Sequence, residues 1–180
     1  TATIVVNQAP AVFNVTGGGS RCSHGSGVGI YLSGSEIGVN YELQRDGGAV
    51  GSIASGNGLG LSFVVSVAGN YTVKATNATS SCTTTMNGNA IITVNQAPNV
   101  FTVSGGGASC SQNAPDSIIL SGSQTGVNYQ LNSNGFPVGA AAQGNGLPLT
   151  FIASASGTYK IVGTNATSGC LIFMAGTARL

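Results

Sequence analysis

Charge is almost absent from this 180-residue chain, in which Lys and Arg number 5 and Asp and Glu 4. Charged residues make up 5%, against about 25% in an ordinary globular protein. A formal net charge of +1 offers no basic footprint to a phosphate backbone or an anionic membrane, so nucleic acid is not an expected partner. Tryptophan is missing and histidine occurs once, at His24, which leaves a nitrogen-ligated metal site without ligands. No apolar run reaches the 18 residues that a spanning helix needs. The longest, at 61–68 and 171–174, are strand-sized, so membrane insertion is not expected. A surface so poor in charge repels its copies weakly, which favours association.

What the chain has instead is glycine, 29 residues, and a 42% hydrophobic fraction, enough for real cores. It also has a repeat. An offset of 88 brings Cys22 onto Cys110, Tyr41 onto Tyr129, Phe63 onto Phe151, Tyr71 onto Tyr159 and Cys82 onto Cys170 without an insertion. Between 11–92 and 99–180, 40 of 82 positions are identical. A period of 88 is too long for a solenoid and suits a sandwich domain of about 100 residues.

Within each period, short β-type runs alternate with Gly, Asn and Ser, and no stretch carries a helical apolar period. In the first copy the pattern predicts strands at 12–15, 28–33, 40–44, 50–53, 59–67, 70–76 and 89–94. Alternation turns Ile30 and Leu32; Val39, Tyr41 and Leu43; Leu59, Leu61, Phe63 and Val65; and Tyr71, Val73 and Ala75 inward. The expected fold class is all-β: two tandem immunoglobulin-like sandwiches, 11–94 and 99–180, with a Pro-ended linker at 95–98. Residues 1–10 match 89–98 and read as the strand and linker of a preceding repeat.

Each copy holds one cysteine pair 60 residues apart, Cys22 with Cys82 and Cys110 with Cys170. Sequence allows three connectivities; one bridge per module leaves each module self-contained and is the expectation. Disulfides place the chain outside the cytosol, in a secreted or cell-surface setting. Gly69-Asn70-Tyr71, repeated as Gly157-Thr158-Tyr159, has the form of a tyrosine corner.

Several of these pieces occur in a fixed order. After the first cysteine come Leu-Ser-Gly-Ser-x-x-Gly-Val-Asn-Tyr-x-Leu (32–43 and 120–131), Gly-Asn-Gly-Leu (56–59 and 144–147), Gly-x-Tyr, Thr-Asn-Ala-Thr-Ser and the second cysteine. Over nearly the whole chain this set resembles the immunoglobulin-like repeats of large surface proteins in gliding and adhesive bacteroidete bacteria. The resemblance implies a stalk or adhesin in arrays, with no catalytic residues to carry over.

Catalysis needs ionisable groups brought together, and the acids are Glu36, Glu42, Asp46 and Asp116. Three of them become Gln124, Gln130 and Asn134 in the second copy, which speaks against a carboxylate pair and against calcium between repeats. His24 has no evident partner, and the serines lack a base. The chain therefore reads as a non-enzyme that binds no cofactor and no metal. Ser117 in Asp-Ser-Ile has the form of a bacteroidete O-glycosylation acceptor. The Asn-x-Thr triplets at Asn14, Asn70, Asn77 and Asn165 fit the N-glycosylation pattern but arise easily in such a composition.

The reading is an extracellular structural or adhesive repeat whose partner is another copy or another repeat. Thr1, Ala2, Thr3, Ile4, Val5 and Val6 form the assembly strand, docking on the C-terminal module of another copy beside 158–163 by β-augmentation. Surface glycans or other cells are further candidate partners. The alternative is a carbohydrate- or ligand-binding accessory module, in which an exposed aromatic such as Tyr31 would stack on the ligand.

Overall fold

A computed structural model describes residue 4 and residues 6–107 and 115–180. Thr1, Ala2, Thr3, Val5 and Cys110, named above, lie outside the described residues. The chain divides into two compact units, Thr1–Val94 and Asn95–Leu180, and the described residues contain strands and no helix.

The N-terminal module contains β1 (Val15–Gly17), β2 (Gly19–Cys22), β3 (Val28–Leu32), β4 (Val39–Arg45), β5 (Gly48–Ala49), β6 (Ala54–Ser55), β7 (Leu61–Val65), β8 (Gly69–Asn77), β9 (Thr83–Thr85) and β10 (Ala90–Asn95). One sheet has the order β1-β3-β7; the other runs β2-β10-β8-β4-β5, with β6 on β4 and β9 on β8. The C-terminal module contains β11 (Val103–Gly105), β12 (Asp116–Leu120), β13 (Val127–Ser133), β14 (Phe136–Gln143), β15 (Leu149–Ala153), β16 (Thr158–Asn165), β17 (Leu171–Phe173) and β18 (Ala178–Arg179). Its sheets are β11-β12-β15 and β14-β13-β16-β17, with β18 on β16. Two sheets of this strand order, β1-β3-β7 or β11-β12-β15 in one and the remaining strands of the module in the other, make the immunoglobulin-like sandwich.

Period-2 alternation builds both cores. Ile30, Tyr41, Val73 and Ala75 are 0% exposed, and Ile118, Tyr129 and Ile161 match them in the second module. Each such side chain contributes about 1.5–3 kcal/mol by leaving water. The triple glycine after β1 has a specific task. Gly17, Gly18 and Gly19 have φ of +97°, +87° and +131°, and a Cβ on Gly17 would strike the Gly29 carbonyl. These conformations carry the chain out of the β1 sheet and into the β2 sheet.

Several strand expectations differ from the structure: β2 and β9 lie outside the predicted strands, and the strand expected at 12–15 begins only at Val15. Residues 50–53 form no strand; β5 and β6 flank them, because Gly51 at φ +79° turns the chain away from β4. Its counterpart Gly139 has φ +67°, yet β14 is continuous because a register shift between Tyr129 and Leu131 absorbs the irregularity. Leu59, expected inward, is 70% exposed. It precedes β7 in a loop held by its backbone, whose carbonyl accepts from Ser35 Oγ at 2.6 Å.

The expected pairing of Cys22 with Cys82 is also corrected. Cys22 is disulfide-bonded, but Cys82 is a free thiol. The reason is strand direction. β3 and β8 run the same way: Val28 pairs with Val65 just before the start of β8, and Gly69 at that start pairs with Ile92. Cys22 precedes β3 at this distal end, where the neighbouring Arg21 guanidinium donates to Ser26 O and Ser66 O. Cys82 follows β8 at the proximal end, where Asn77 N donates to Cys82 O and Ala78 N to Gly38 O. Nine residues of β8 separate the two ends by about 26 Å at ~3.3 Å per residue. A disulfide tolerates about 4.4–6.8 Å between Cα atoms.

Candidate functional site

The proximal end of each module is assembled from the motifs that repeat best. Asn77 Oδ1 accepts from Thr79 N and Ser80 N, both at 3.0 Å, folding Thr-Asn-Ala-Thr-Ser into a turn that presents Cys82. Asn165 Oδ1 accepts from Thr167 N at 3.0 Å and Ser168 N at 2.9 Å, which presents Cys170 likewise. The linker passes beside each sulfur. Cys82 Sγ lies 3.9 Å from Asn7 O, and Cys170 Sγ lies 3.8 Å from Asn95 O. The states of the two cysteines differ: Cys82 is a half-buried thiol, whereas Cys170 is fully buried and disulfide-bonded.

The Leu-Ser-Gly-Ser and Gly-Asn-Gly-Leu motifs meet in space. Ser35 Oγ donates to Leu59 O and accepts from Asn57 N at 3.1 Å. Ser123 repeats this with Leu147 O at 2.6 Å and Asn145 N at 3.1 Å. Ser35 and Ser123 are both buried, so these motifs are engaged in closing a loop rather than offered to a ligand. The Val-Asn-Tyr tyrosines supply a feature that the sequence reading missed. Tyr41 Oη accepts from Glu36 N at 2.9 Å, and Tyr129 Oη accepts from Gln124 N at 2.8 Å. Burial pushes both phenols above their ordinary pKa, the backbone donor opposes this, and the Glu36 charge adds a further upward push on Tyr41 alone. The pairing of Tyr with a residue five positions earlier was the available signal. Tyr71 Oη donates to Val67 O at 2.8 Å and Tyr159 Oη to Ala155 O at 2.6 Å, each reaching four residues upstream.

The acids are dispersed. Glu36 Oε2 accepts from Ala11 N at 2.8 Å, and Gln124 Oε1 accepts from Asn99 N at 2.9 Å. The same oxygen thus ties the linker in both modules, with or without charge. Asp46 Oδ1 accepts from Asn70 N between the end of β4 and the start of β8, and Glu42 faces Lys74 in the β4–β8 register. The structure does not bring Glu42 and Asp46 into a pair. His24 is exposed and lies 3.2 Å from Ser23 Oγ. No group of three or more His, Cys, Asp or Glu able to hold a metal ion occurs among the described residues.

Of the candidate modification sites, Ser117 is exposed on β12 opposite Ile152. Asn14 and Asn70 are tied by Asn87 and Asn89 side chains. Tyr31 is 54% exposed on β3. A cleft of about 390 Å³ on the C-terminal module is lined by Asn132, Asn134, Gly135, Thr158, Lys160 and Phe173. Lys160 Nζ sits 5.9 Å from the Phe173 ring centroid, and the buried Asn132 Oδ1 has no hydrogen-bond partner. In the assembly region, Ile4 is 88% exposed and Val6 89% exposed, and neither belongs to a strand. No helix among the described residues is long and apolar enough to cross a membrane.

No family model and no curated protein matches this chain. Among solved structures it is similar to the human OSCAR ligand-binding domain at 11% identity, covering 96% of this chain and 100% of that one, with a TM-score of 0.39. Fibronectin(III)-like modules of CbhA from Clostridium thermocellum match at 12% identity, covering 93% and 94%, TM-score 0.36. The ectodomain of mouse nectin-like molecule 4 matches at 14%, covering 96% and 64%, TM-score 0.33. At these scores the strand order above, not the likeness, carries the fold assignment.

Proposed function

We propose that this chain is a non-enzymatic extracellular structural or adhesive protein that assembles head to tail, the segment from Thr1 to Val6 of one copy docking on the C-terminal module of a second copy. The observation that carries this reading is a contrast at one repeat position. Ile4 matches Ile92; Ile92 is 2% exposed in β10, whereas Ile4 is 88% exposed. A side chain that the module core buries in one place is presented to water in the other. Leaving such an isoleucine exposed forgoes about 1.5–3 kcal/mol, which docking recovers. The position opposite is partly taken: β18 pairs with Thr158 and Tyr159, and Leu180 N and O bond to Gly157. Docking therefore competes with β18 for this edge. Contacts between unlike ends do not close on themselves and propagate a filament. A near-neutral surface and the disulfide-bonded state of Cys22 and Cys170 fit that extracellular role.

The test is sedimentation and electron microscopy of the full chain beside Ile4→Asp. The chain is expected to form linear multimers that Ile4→Asp abolishes without changing the β spectrum. A chain that stays monomeric, or an Ile4→Asp variant that assembles equally, overturns the reading.

The cleft at Phe173 favours one second reading, a carbohydrate- or ligand-binding module. Its exposed ring, the Lys160 ammonium and the unpartnered Asn132 Oδ1 are the elements of a polar-ligand site. The N-terminal module has Gln44, Thr72 and Thr85 at the corresponding positions. Saturable glycan binding that Phe173→Ala removes supports that reading; none on a broad glycan array overturns it.

A further inference from the structure

We propose that the outer face of the C-terminal module's β13, β16 and β17 binds an anionic polysaccharide, with Lys160 and Arg179 meeting its carboxylate or sulfate groups and Phe173 lying against a sugar ring. The proposal rests on the ligand-binding reading of the Phe173 cleft and names the ligand class.

The strands decide which side chains share this face. Tyr159 and Ile161 are buried, so Thr158, Lys160 and Val162 point outward from β16. Antiparallel partners point to the same side. Thr158 pairs with Arg179, which is exposed beside the buried Ala178, and Val162 pairs with Phe173. Thr158 lines the cleft, so Arg179 flanks it. Lys160 follows Thr158 by two residues, about 7 Å along the strand.

Charge on this face differs between the modules. The C-terminal module has one acid, Asp116, and it lies on β12 in the other sheet. Lys160 and Arg179 therefore share their face with no acidic side chain of their own module. In the N-terminal module Thr72 and Ile91 stand at those two positions, and Glu42 faces Lys74. Glu42 and Asp46 become Gln130 and Asn134. Between one copy and the other, the same strands have exchanged two acids for amides and gained two cations, so the C-terminal face alone attracts an anion.

The ring says which kind of anion. Phe173 is 58% exposed where the N-terminal module has Thr85, and Lys160 Nζ lies 5.9 Å from its centroid. A flat apolar ring takes the C–H face of a sugar, the Asn134 amide and the Thr158 hydroxyl suit its hydroxyls, and the ammonium and guanidinium suit its charged substituents. The cleft volume of about 390 Å³ falls in the ~300–1,000 Å³ range of ligand sites. Two cations are too few for nucleic acid, whose binding draws on many phosphate contacts.

The experiment is equilibrium binding of the full chain to immobilised polygalacturonate, dextran sulfate and uncharged dextran at low and high salt. The expected result is saturable binding to a charged polymer, none to uncharged dextran, and weakening as salt screens the two cations. Which charged polymer binds tells carboxylate from sulfate. Lys160→Gln, Arg179→Gln and Phe173→Thr should each weaken binding about tenfold, whereas Lys74→Gln, on the corresponding face of the N-terminal module, leaves it unchanged. The two readings fail separately. Charged and uncharged polymers bound alike, with loss in Phe173→Thr, overturn the anionic class and leave the ligand-binding reading standing. No binding to any of the three polymers overturns the anionic class, and if a broad glycan array is also silent, the ligand-binding reading falls with it. Binding that Lys74→Gln weakens as much as Lys160→Gln is general adsorption to a polyanion and overturns the site.

Discussion

The two modules share a core and differ at its margins. Ile30 and Ile118, Tyr41 and Tyr129, Val73 and Ile161 hold equivalent buried positions, and the Ser35 and Ser123 loop locks agree to 0.1 Å in every shared distance. Against that, β14 is one strand where β5 and β6 are two. Phe173 and Lys160 stand where Thr85 and Thr72 do, and Cys170 is bonded where Cys82 is not. Sameness is confined to groups that close a module; difference falls on groups that face out of it. A repeat unit whose interior is copied and whose surface is free to vary suits a serial architecture, in which each interface is individual.

The comparison breaks first in the core. Ile30→Ala and Ile118→Ala should each cost about 2–5 kcal/mol, because both side chains are fully buried. Two unfolding transitions, one per module, should each respond to its own substitution alone. A single transition shifted equally by both variants would show that the modules do not unfold independently.

Next in size are the loop locks. Gly56 and Gly144 approach the Glu36 and Gln124 carbonyls so closely that a Cβ would overlap the oxygen. Gly56→Ala and Gly144→Ala should destabilise by about 1–3 kcal/mol each through forced backbone movement. Ser35→Ala and Ser123→Ala should cost about 1–3 kcal/mol, since the Leu59 and Leu147 carbonyls lose a donor. Denaturant melts of the four variants compare the pairs; a twofold disparity within either pair would mean that the locks are not equivalent.

Local pattern carried much of the fold into the sequence. The inward faces of β3, β4 and β8 follow from alternation because each strand has one neighbouring sheet to face. The Tyr71 and Tyr159 bonds span four residues and are fixed by the adjacent turn. Leu59 was misread because a serine 24 residues earlier fixes its carbonyl, a contact that alternation does not express. The pairing of Cys22 with Cys82 was misread because a spacing of 60 says nothing about direction. Cys22 precedes one strand and Cys82 follows another that runs the same way, so opposite ends are unavoidable once the pairing of β3 and β8 with their neighbours is known. The strand order, a long-range property, was the missing term.

The smallest effect is electrostatic and separates the modules by a single charge. Tyr41 and Tyr129 are both buried and both accept a backbone N–H, but only Tyr41 has a carboxylate nearby, that of Glu36. Burial raises both phenol pKa values in the folded state above the value near 10 of the unfolded chain. A raised folded pKa means that the stability is intact below the unfolded pKa. It is lost as pH climbs through and beyond about 10, where the unfolded chain ionises first. Both modules should therefore weaken in alkali, and the N-terminal one more, since Glu36 opposes the Tyr41 phenolate in addition to desolvation. Glu36→Gln should leave stability at neutral pH within about 0.5 kcal/mol, because Gln124 makes the same linker contact with its amide oxygen. It should also bring the alkaline loss of the N-terminal module into line with that of the C-terminal one. The measurement is module-resolved thermal melting from neutral pH to alkali, with phenolate absorbance followed in parallel. If Glu36→Gln leaves the difference between the modules intact, the charge is not its source. If it destabilises the N-terminal module at neutral pH, the carboxylate does more at the linker than the amide that replaces it in the second module.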